Sequence, residues 1–339
     1  YGRRLVVCVG VSLAVAVAAC APPPARWFHT REEPEPVRGD KRAGHVLREV
    51  QRQLVTAVPA GLEGDGRLAD LALEIADDAE AERDALDGMR LAILSRARGL
   101  VNPLPQVVFA VGNTLEEAGE KLLQKGLVWA PEFESTHYGL AATRRRKRWA
   151  AVLVLDTRPV ELAPLPVSMD SPGTVTIDAK LRSDLIEPGL VITQPNGTVE
   201  KPEPDPTTRR VQAKLPLTEG LWGIEVIGSG EHGPMVVANV AIAVGVPVPR
   251  EVPSEMTRPR SAGEVASELS RLIDQERKSH GLTPLRTSSE LAKVALAHSL
   301  DMRKGRFFGH TSPRTGGPQD RTAAAGVPAW NLRENVARG

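Results

Sequence analysis

Cysteine is nearly missing from this chain: Cys8 and Cys20 are the 2 that occur in 339 residues. That excludes a disulfide-stapled scaffold and leaves stability to the burial of apolar side chains. Aromatic residues are also scarce, at 4%, which argues against a stacking platform for single-stranded nucleic acid. No charge of one sign dominates, since 43 Lys and Arg face 42 Asp and Glu for a net charge of +1. No nucleic-acid partner is therefore expected. Nor is there a long hydrophobic run: Leu5 to Ala19 is apolar but too short to span a bilayer comfortably. What is present, 41% hydrophobic and 25% charged residues, is an ordinary globular composition with room for two or three domains.

Arg3-Arg4 followed by Leu5 to Ala19 reads as an export signal rather than a structural element. It ends in Val17-Ala18-Ala19-Cys20, which resembles the lipobox of bacterial lipoproteins. The resemblance implies that residues 1–19 are a signal peptide, that Cys20 carries acyl chains, and that the protein is attached to a membrane through its lipidated N-terminus. Two or more acyl chains anchor durably where one is marginal. Ala21, in place of Asp, favours the outer membrane in a bacterium that has one. An exported protein, lipid-anchored to the cell envelope or extracellular, is expected. An ordinary cleaved signal that leaves Cys20 as a spare thiol is the alternative. Residues 20–42, with Pro22-Pro23-Pro24 and Glu32-Glu33-Pro34-Glu35-Pro36, read as an extended solvated tether. The chain starts at Tyr1 rather than Met and stops soon after Glu334, so it reads as a fragment.

The expected fold class is α+β multidomain. Residues 173–245 carry short extended runs separated by turn residues such as Pro195-Asn196-Gly197, the pattern of a small Ig-like β-sandwich. His232, in Gly230-Glu231-His232-Gly233-Pro234, reads as a residue of a solvated turn. A less distinct break precedes this region at 162–172, and residues 246–260 form a Pro-rich linker. Residues 261–339 begin with Ser261-Ala262-Gly263-Glu264, a capping-box pattern ahead of a helix through Val265, Leu269, Leu272 and Ile273. Thr287-Ser288-Ser289-Glu290 opens a second helix, on which His298 shares a face with Leu291, Val294 and Ala295.

Residues 43–165 contain a partial repeat of this pattern. At a constant offset of 223, Leu68-Ala69-Asp70-Leu71-Ala72-Leu73 lies over Leu291-Ala292-Lys293-Val294-Ala295-Leu296, and Ile75 lies over His298. A preceding helix (Val46, Leu47, Val50, Leu54), a capped helix from Thr114 and a hairpin of Tyr138–Ala142 with Trp149–Leu155 complete the region. Two copies of one α/β domain flanking the sandwich are expected, the second lacking its last third. Between the hairpin strands, Arg144-Arg145-Arg146-Lys147-Arg148 reads as a solvated tip that discourages edge pairing; contact with anionic lipid or cell-wall polymer is the sharper alternative.

Five motifs then occur in order: Gly281-Leu282-Thr283-Pro284-Leu285, Leu291 to Met302 with its His298-Ser299 and Asp301-Met302, Phe307 to Pro313, Asp320 to Gly326, and Glu334 to Gly339. Together they resemble the bacterial branch of the CAP superfamily, also called the SCP or sperm-coating-protein-like domain. The resemblance implies an α-β-α sandwich, incomplete here, with a cleft of two His and two Glu that in many members binds a divalent metal, often zinc. His310 and Glu334 match one His and one Glu of that set; the other two are not within the sequence. Imidazole and carboxylate suit zinc independently of any family, and the same pair can act as base and orienting acid. His298 is assigned to a hydrogen-bonded core position and Arg321 to a structural ion pair. The first α/β region lacks these motifs, with Asp87 opposite His310, so it reads as a degenerate CAP-like copy.

The resulting expectation is an envelope lipoprotein that displays a His310/Glu334 metal cleft for recognition of an envelope polymer, lipid or protein ligand. A metal- or His/Glu-dependent, peptidase-like hydrolase of envelope material and a lipid- or sterol-binding protein are the rivals.

Overall fold

The computed structural model describes residues 35–39, 43–58, 61–77, 88–102, 104–145, 147–203, 208–251, 261–327 and 331–336. The signal segment, Cys20 and Asp87 lie outside the described residues. No described helix is long and apolar enough to cross a membrane. The described residues form two compact units, one of 35–228 with 236–251 and the other of 229–235, 261–327 and 331–336.

The larger unit starts with an α/β domain: β1 (Val37–Gly39), α1 (Ala43–Ala57), β2 (Glu63–Gly64), α2 (Gly66–Asp77), α3 (Gly88–Ala97), β3 (Gln106–Gly112), α4 (Leu115–Glu132), β4 (His137–Arg145) and β5 (Arg148–Asp156). The sheet order is β1-β4-β5-β3, with β2 also on β4. Strand β5 is buried on both faces, and its period of two divides the core. Ala151, Leu153 and Leu155 meet Leu47 and Leu54 of α1 and Leu122 of α4. Ala150, Val152 and Val154 meet Leu68, Leu71 and Ile75 of α2 and Leu91 and Leu94 of α3. Helices thus cover both faces of one sheet. Helix α2 lies so close to β4 that a Cβ at Gly139 would stand 2.1 Å from the Ala69 backbone nitrogen. Thr114 caps α4 by accepting from the Glu117 N–H at 3.1 Å. The basic run falls at the β4–β5 turn, Arg145 opposite Arg148, with Arg144, Lys147 and Arg148 exposed.

Two further sheets follow, made of β6 (Val160–Leu162), β7 (Ser168–Met169), β8 (Gly173–Leu181), β9 (Ile186–Thr193), β10 (Val199–Glu200), β11 (Arg210–Leu217), β12 (Gly220–Gly230) and β13 (Gly233–Val244). Their orders are β10-β9-β12-β13-β7 and β11-β8-β6. Between them lies one apolar core that includes Ile177, Ile192, Trp222, Ile224 and Ile242. The expected break at 162–172 and the expected start at Gly173 are displaced: β6 pairs with β8, β7 pairs with β13, and Leu165 and Val167 are buried in this core. Short edge strands carry too few alternating residues to declare themselves in sequence. A polar bridge joins this region to the α/β domain. Arg96 Nη2 donates to Asn239 Oδ1, and Asn239 Nδ2 donates to Glu225 Oε1, both at 2.8 Å.

The smaller unit holds α5 (Ala262–Ser279), α6 (Ser289–Gly305) and α7 (Pro318–Ala324), with no β-strand among its described C-terminal residues beyond an isolated Ser312–Gly316 bridge. Ser261 caps α5 as expected, accepting from Glu264 N–H at 3.2 Å. Ser288, rather than Thr287, caps α6, because its hydroxyl reaches Leu291 N–H at 3.2 Å. The repeat positions differ sharply in burial: Leu68 is 0% exposed against the sheet, whereas Leu291 is 40% exposed.

A polar knot closes the α/β domain. The Asp65 carboxylate takes Arg67 and Arg158, while Asn102 Nδ2 donates to Asp156 Oδ1 at 2.8 Å. Burial raises the Asp65 carboxyl, but the hydrogen bonds and charges of Arg67 and Arg158 outweigh it and hold it well below the ordinary range. Asp156 goes the other way. Burial pushes it up to about 6 from 3.8, although Arg158 and Asn102 pull it down. The folded protein therefore keeps this proton to a higher pH than the unfolded chain, so this group's contribution to stability falls as pH rises from about 4 to about 6. Asp156→Asn keeps the acceptor for Asn102 and removes the charge. It should gain on the wild type across that window, by about 1–2 kcal/mol at neutral pH. Urea unfolding of both proteins at about pH 4 and about pH 7 measures this; a difference between them that is independent of pH contradicts it.

Candidate functional site

The loop that follows α6 carries His310, and hydrogen bonds fix it at several points. Arg306 ends α6 in the left-handed conformation with φ 53°. Ser312 Oγ donates to Asp301 Oδ2 at 2.5 Å and accepts from the backbone N–H groups of Arg314 and Thr315 at 3.0 and 3.1 Å. Arg314 also pairs with Asp301. Thus Asp301 on α6 fixes the turn that begins one residue after Thr311. His298, one helical turn earlier on α6, is 3% exposed and hydrogen-bonds through Nε2 to Gly309 O at 2.9 Å. A carbonyl can only accept, so His298 Nε2 carries the proton.

His310 and Glu334 meet. His310 Nδ1 lies 3.0 Å from Glu334 Oε1, and Arg321 Nη2 donates to Glu334 Oε2 at 2.6 Å. Arg321 Nη1 donates to His310 O at 3.0 Å and to Gly316 O at 2.6 Å. One guanidinium therefore holds the backbone of the imidazole and the side chain of the carboxylate together. The Arg321, Glu334 and His310 side chains are 5%, 18% and 24% exposed. Burial raises the Glu334 carboxyl, but hydrogen bonds from His310 and Arg321 and the Arg321 charge more than offset this, leaving it below its ordinary value. An ionised carboxylate is an acceptor only, so His310 Nδ1 donates, and in the neutral ring Nε2 is the nitrogen that carries the lone pair. Among the described residues, no hydrogen bond occupies that Nε2.

The family model for the Cysteine-rich secretory protein family, CAP, matches residues 271–339, the span that contains His298, His310, Arg321 and Glu334. This segment belongs to the CAP superfamily. Its descriptive name notwithstanding, the CAP segment here has no cysteine. Over 81 residues the chain is also 35% identical to an uncharacterized protein, YkwD, of Bacillus subtilis (strain 168). The match covers 24% of this chain and 32% of that protein, so the chain spans about a third of its relative.

Within the CAP segment, His310 and Glu334 sit at one site, and His298 is buried and hydrogen-bonded. His298 Nε2 is 4.0 Å from Glu334 Oε1, too long for a hydrogen bond. Arg321 is an ion-pair partner, but its reach to His310 O was not legible from its place in α7. Asp301, Ser312 and Arg314 were overlooked as a group; the Asp-Met and Thr-Ser-Pro-Arg motifs contained the signal. His232, read as a solvated turn residue, instead accepts at its backbone oxygen from Thr311 N–H at 3.0 Å and tilts against Phe307.

His298→Ala should loosen the CAP loop, because the mutation removes the donor to Gly309 O and empties a buried position. A loss of about 1–3 kcal/mol in unfolding free energy is expected, with faster amide exchange across residues 309–316. Hydrogen exchange read by mass spectrometry checks this, and His298→Gln, which retains a donor, should recover part of the protection. Exchange that matches the wild type in His298→Ala contradicts the anchoring role.

Proposed function

We propose that this chain is an exported, lipid-anchored envelope protein that displays its CAP segment as a metal-binding recognition module. His310 supplies the ligand atom, Nε2, and Glu334 stands behind the ring as its carboxylate partner. The observation that carries this reading is the 3.0 Å contact between His310 Nδ1 and Glu334 Oε1, which leaves Nε2 as the ring nitrogen without a hydrogen-bond partner among the described residues. Carboxylate-backed imidazoles of this kind are preferred metal ligands, since the carboxylate fixes the tautomer and raises ligand basicity. Among the described residues no cluster of three or more His, Cys, Asp or Glu could enclose a metal. In this reading His310 is one ligand of a set whose other donors come from outside the described residues, and imidazole is a ligand type that suits zinc. The anchor rests on the Val17-Ala18-Ala19-Cys20 motif, and an envelope polymer, lipid or protein is the ligand class such an anchor brings within reach.

The α/β domain of the larger unit is the degenerate CAP-like copy in this reading. Its sheet with helices on both faces and the Leu68–Leu73 repeat support that assignment. A hydrolase is the second reading, favoured by the same geometry: a neutral imidazole oriented by a carboxylate can take a proton from water.

Zinc titration of the protein by calorimetry decides the first reading. One site is expected, lost in His310→Ala and weakened about 10–100-fold in Glu334→Ala. Binding that is unchanged in His310→Ala contradicts it.

A further inference from the structure

We propose that Arg321 is the positioning residue that sets the tautomer of His310. The inference rests on the reading of His310 and Glu334 as the working pair but makes a separate claim about how that pair is held. Glu334 enters on a segment with no regular secondary structure, and His310 lies on a loop. Neither backbone alone determines which way a carboxylate on the first meets a ring on the second. Arg321, on α7, provides that constraint. Its planar fork spends Nη1 on the carbonyls of His310 and Gly316 and Nη2 on Glu334 Oε2. With Oε2 taken, Oε1 is the oxygen left to face the ring, and it lies 3.0 Å from Nδ1. The proton is thereby held on Nδ1, and Nε2 becomes the acceptor that the site presents.

Two consequences separate this from a simple buried ion pair. Glu334 acts through the ring, with each of its oxygens already holding one partner. Lysine is also an inadequate substitute for arginine, because a point charge on a flexible stem cannot hold two carbonyls and a carboxylate in one plane.

Long-range proton–nitrogen correlation spectra of the 15N-labelled protein read the tautomer directly. They would be recorded with chelator present, near pH 8.5, about two units above the ordinary imidazole value. A His310→Gln variant assigns the ring. The wild type should show a single His310 species protonated on Nδ1. Arg321→Gln should shift the ring toward the Nε2-protonated form, and Arg321→Lys should give a mixture. In parallel zinc titrations the two variants should bind about 10–100-fold more weakly. An unchanged Nδ1-protonated ring in Arg321→Gln or Arg321→Lys overturns the proposal. So does collapse of the histidine spectrum in both variants, which would make Arg321 a folding residue instead. A wild type that holds the Nδ1 proton yet binds no zinc removes the metal reading and leaves this one standing.

Discussion

The site depends on one carboxylate shared between two cationic or proton-bearing partners. Glu334 is partly buried, and an ionised carboxylate in that position is costly unless its oxygens are matched. Arg321 and His310 match one oxygen each. The same guanidinium reaches the backbone of His310, so electrostatic pairing and loop geometry are settled by a single side chain. The remainder of the loop supports this arrangement from beneath: His298 holds Gly309, and Asp301 holds Ser312 and Arg314. Imidazole, carboxylate and guanidinium are therefore placed in that order, and Nε2 is the ring nitrogen left without a partner among the described residues.

The helices of the two units differ in how far they are buried. In the larger unit α1 and α2 bury their apolar residues on a sheet whose central strand is covered on both faces. In the smaller unit Leu269 of α5 and Leu291 and Leu296 of α6 are exposed, and Leu272, Ile273 and Val294 are half-buried. Its described order rests instead on polar contacts around the His310 loop. Hydrogen bonds to charged groups contribute about 1.5–3 kcal/mol each, and several such bonds converge there.

Much of the larger unit was legible because its signals are local. Thr114 capping a helix, the Leu47-Val50-Leu54 spacing and the two halves of the β4–β5 hairpin each declare themselves within a few residues. Other elements escaped. Strands β1 and β2 are two or three residues long and earn their place by pairing with β4 from afar. Helix α3 carries little amphipathic contrast, and β6 is recognisable as part of the sandwich only from its pairing with β8. At the site, His310 and Glu334 could be named from motifs, and His298 from its helix face. That Arg321 bridges His310 and Glu334 could not, because its three acceptors come from separate positions along the chain. Opposite shifts of two neighbouring carboxylates, Asp65 and Asp156, were likewise beyond sequence, since each follows from how deeply the fold buries the group and which hydrogen bonds from Arg67 or Asn102 it brings to it.

A double-mutant cycle between Arg321 and Glu334 tests the shared carboxylate most directly. Unfolding free energies would be measured for the wild type, Arg321→Gln, Glu334→Ala and the double variant. The structure requires a coupling of about 1–3 kcal/mol, because removal of either partner already forfeits what the other gained. Losses that add to within about 0.3 kcal/mol would mean that the two side chains do not depend on each other, and the account of the site would fail.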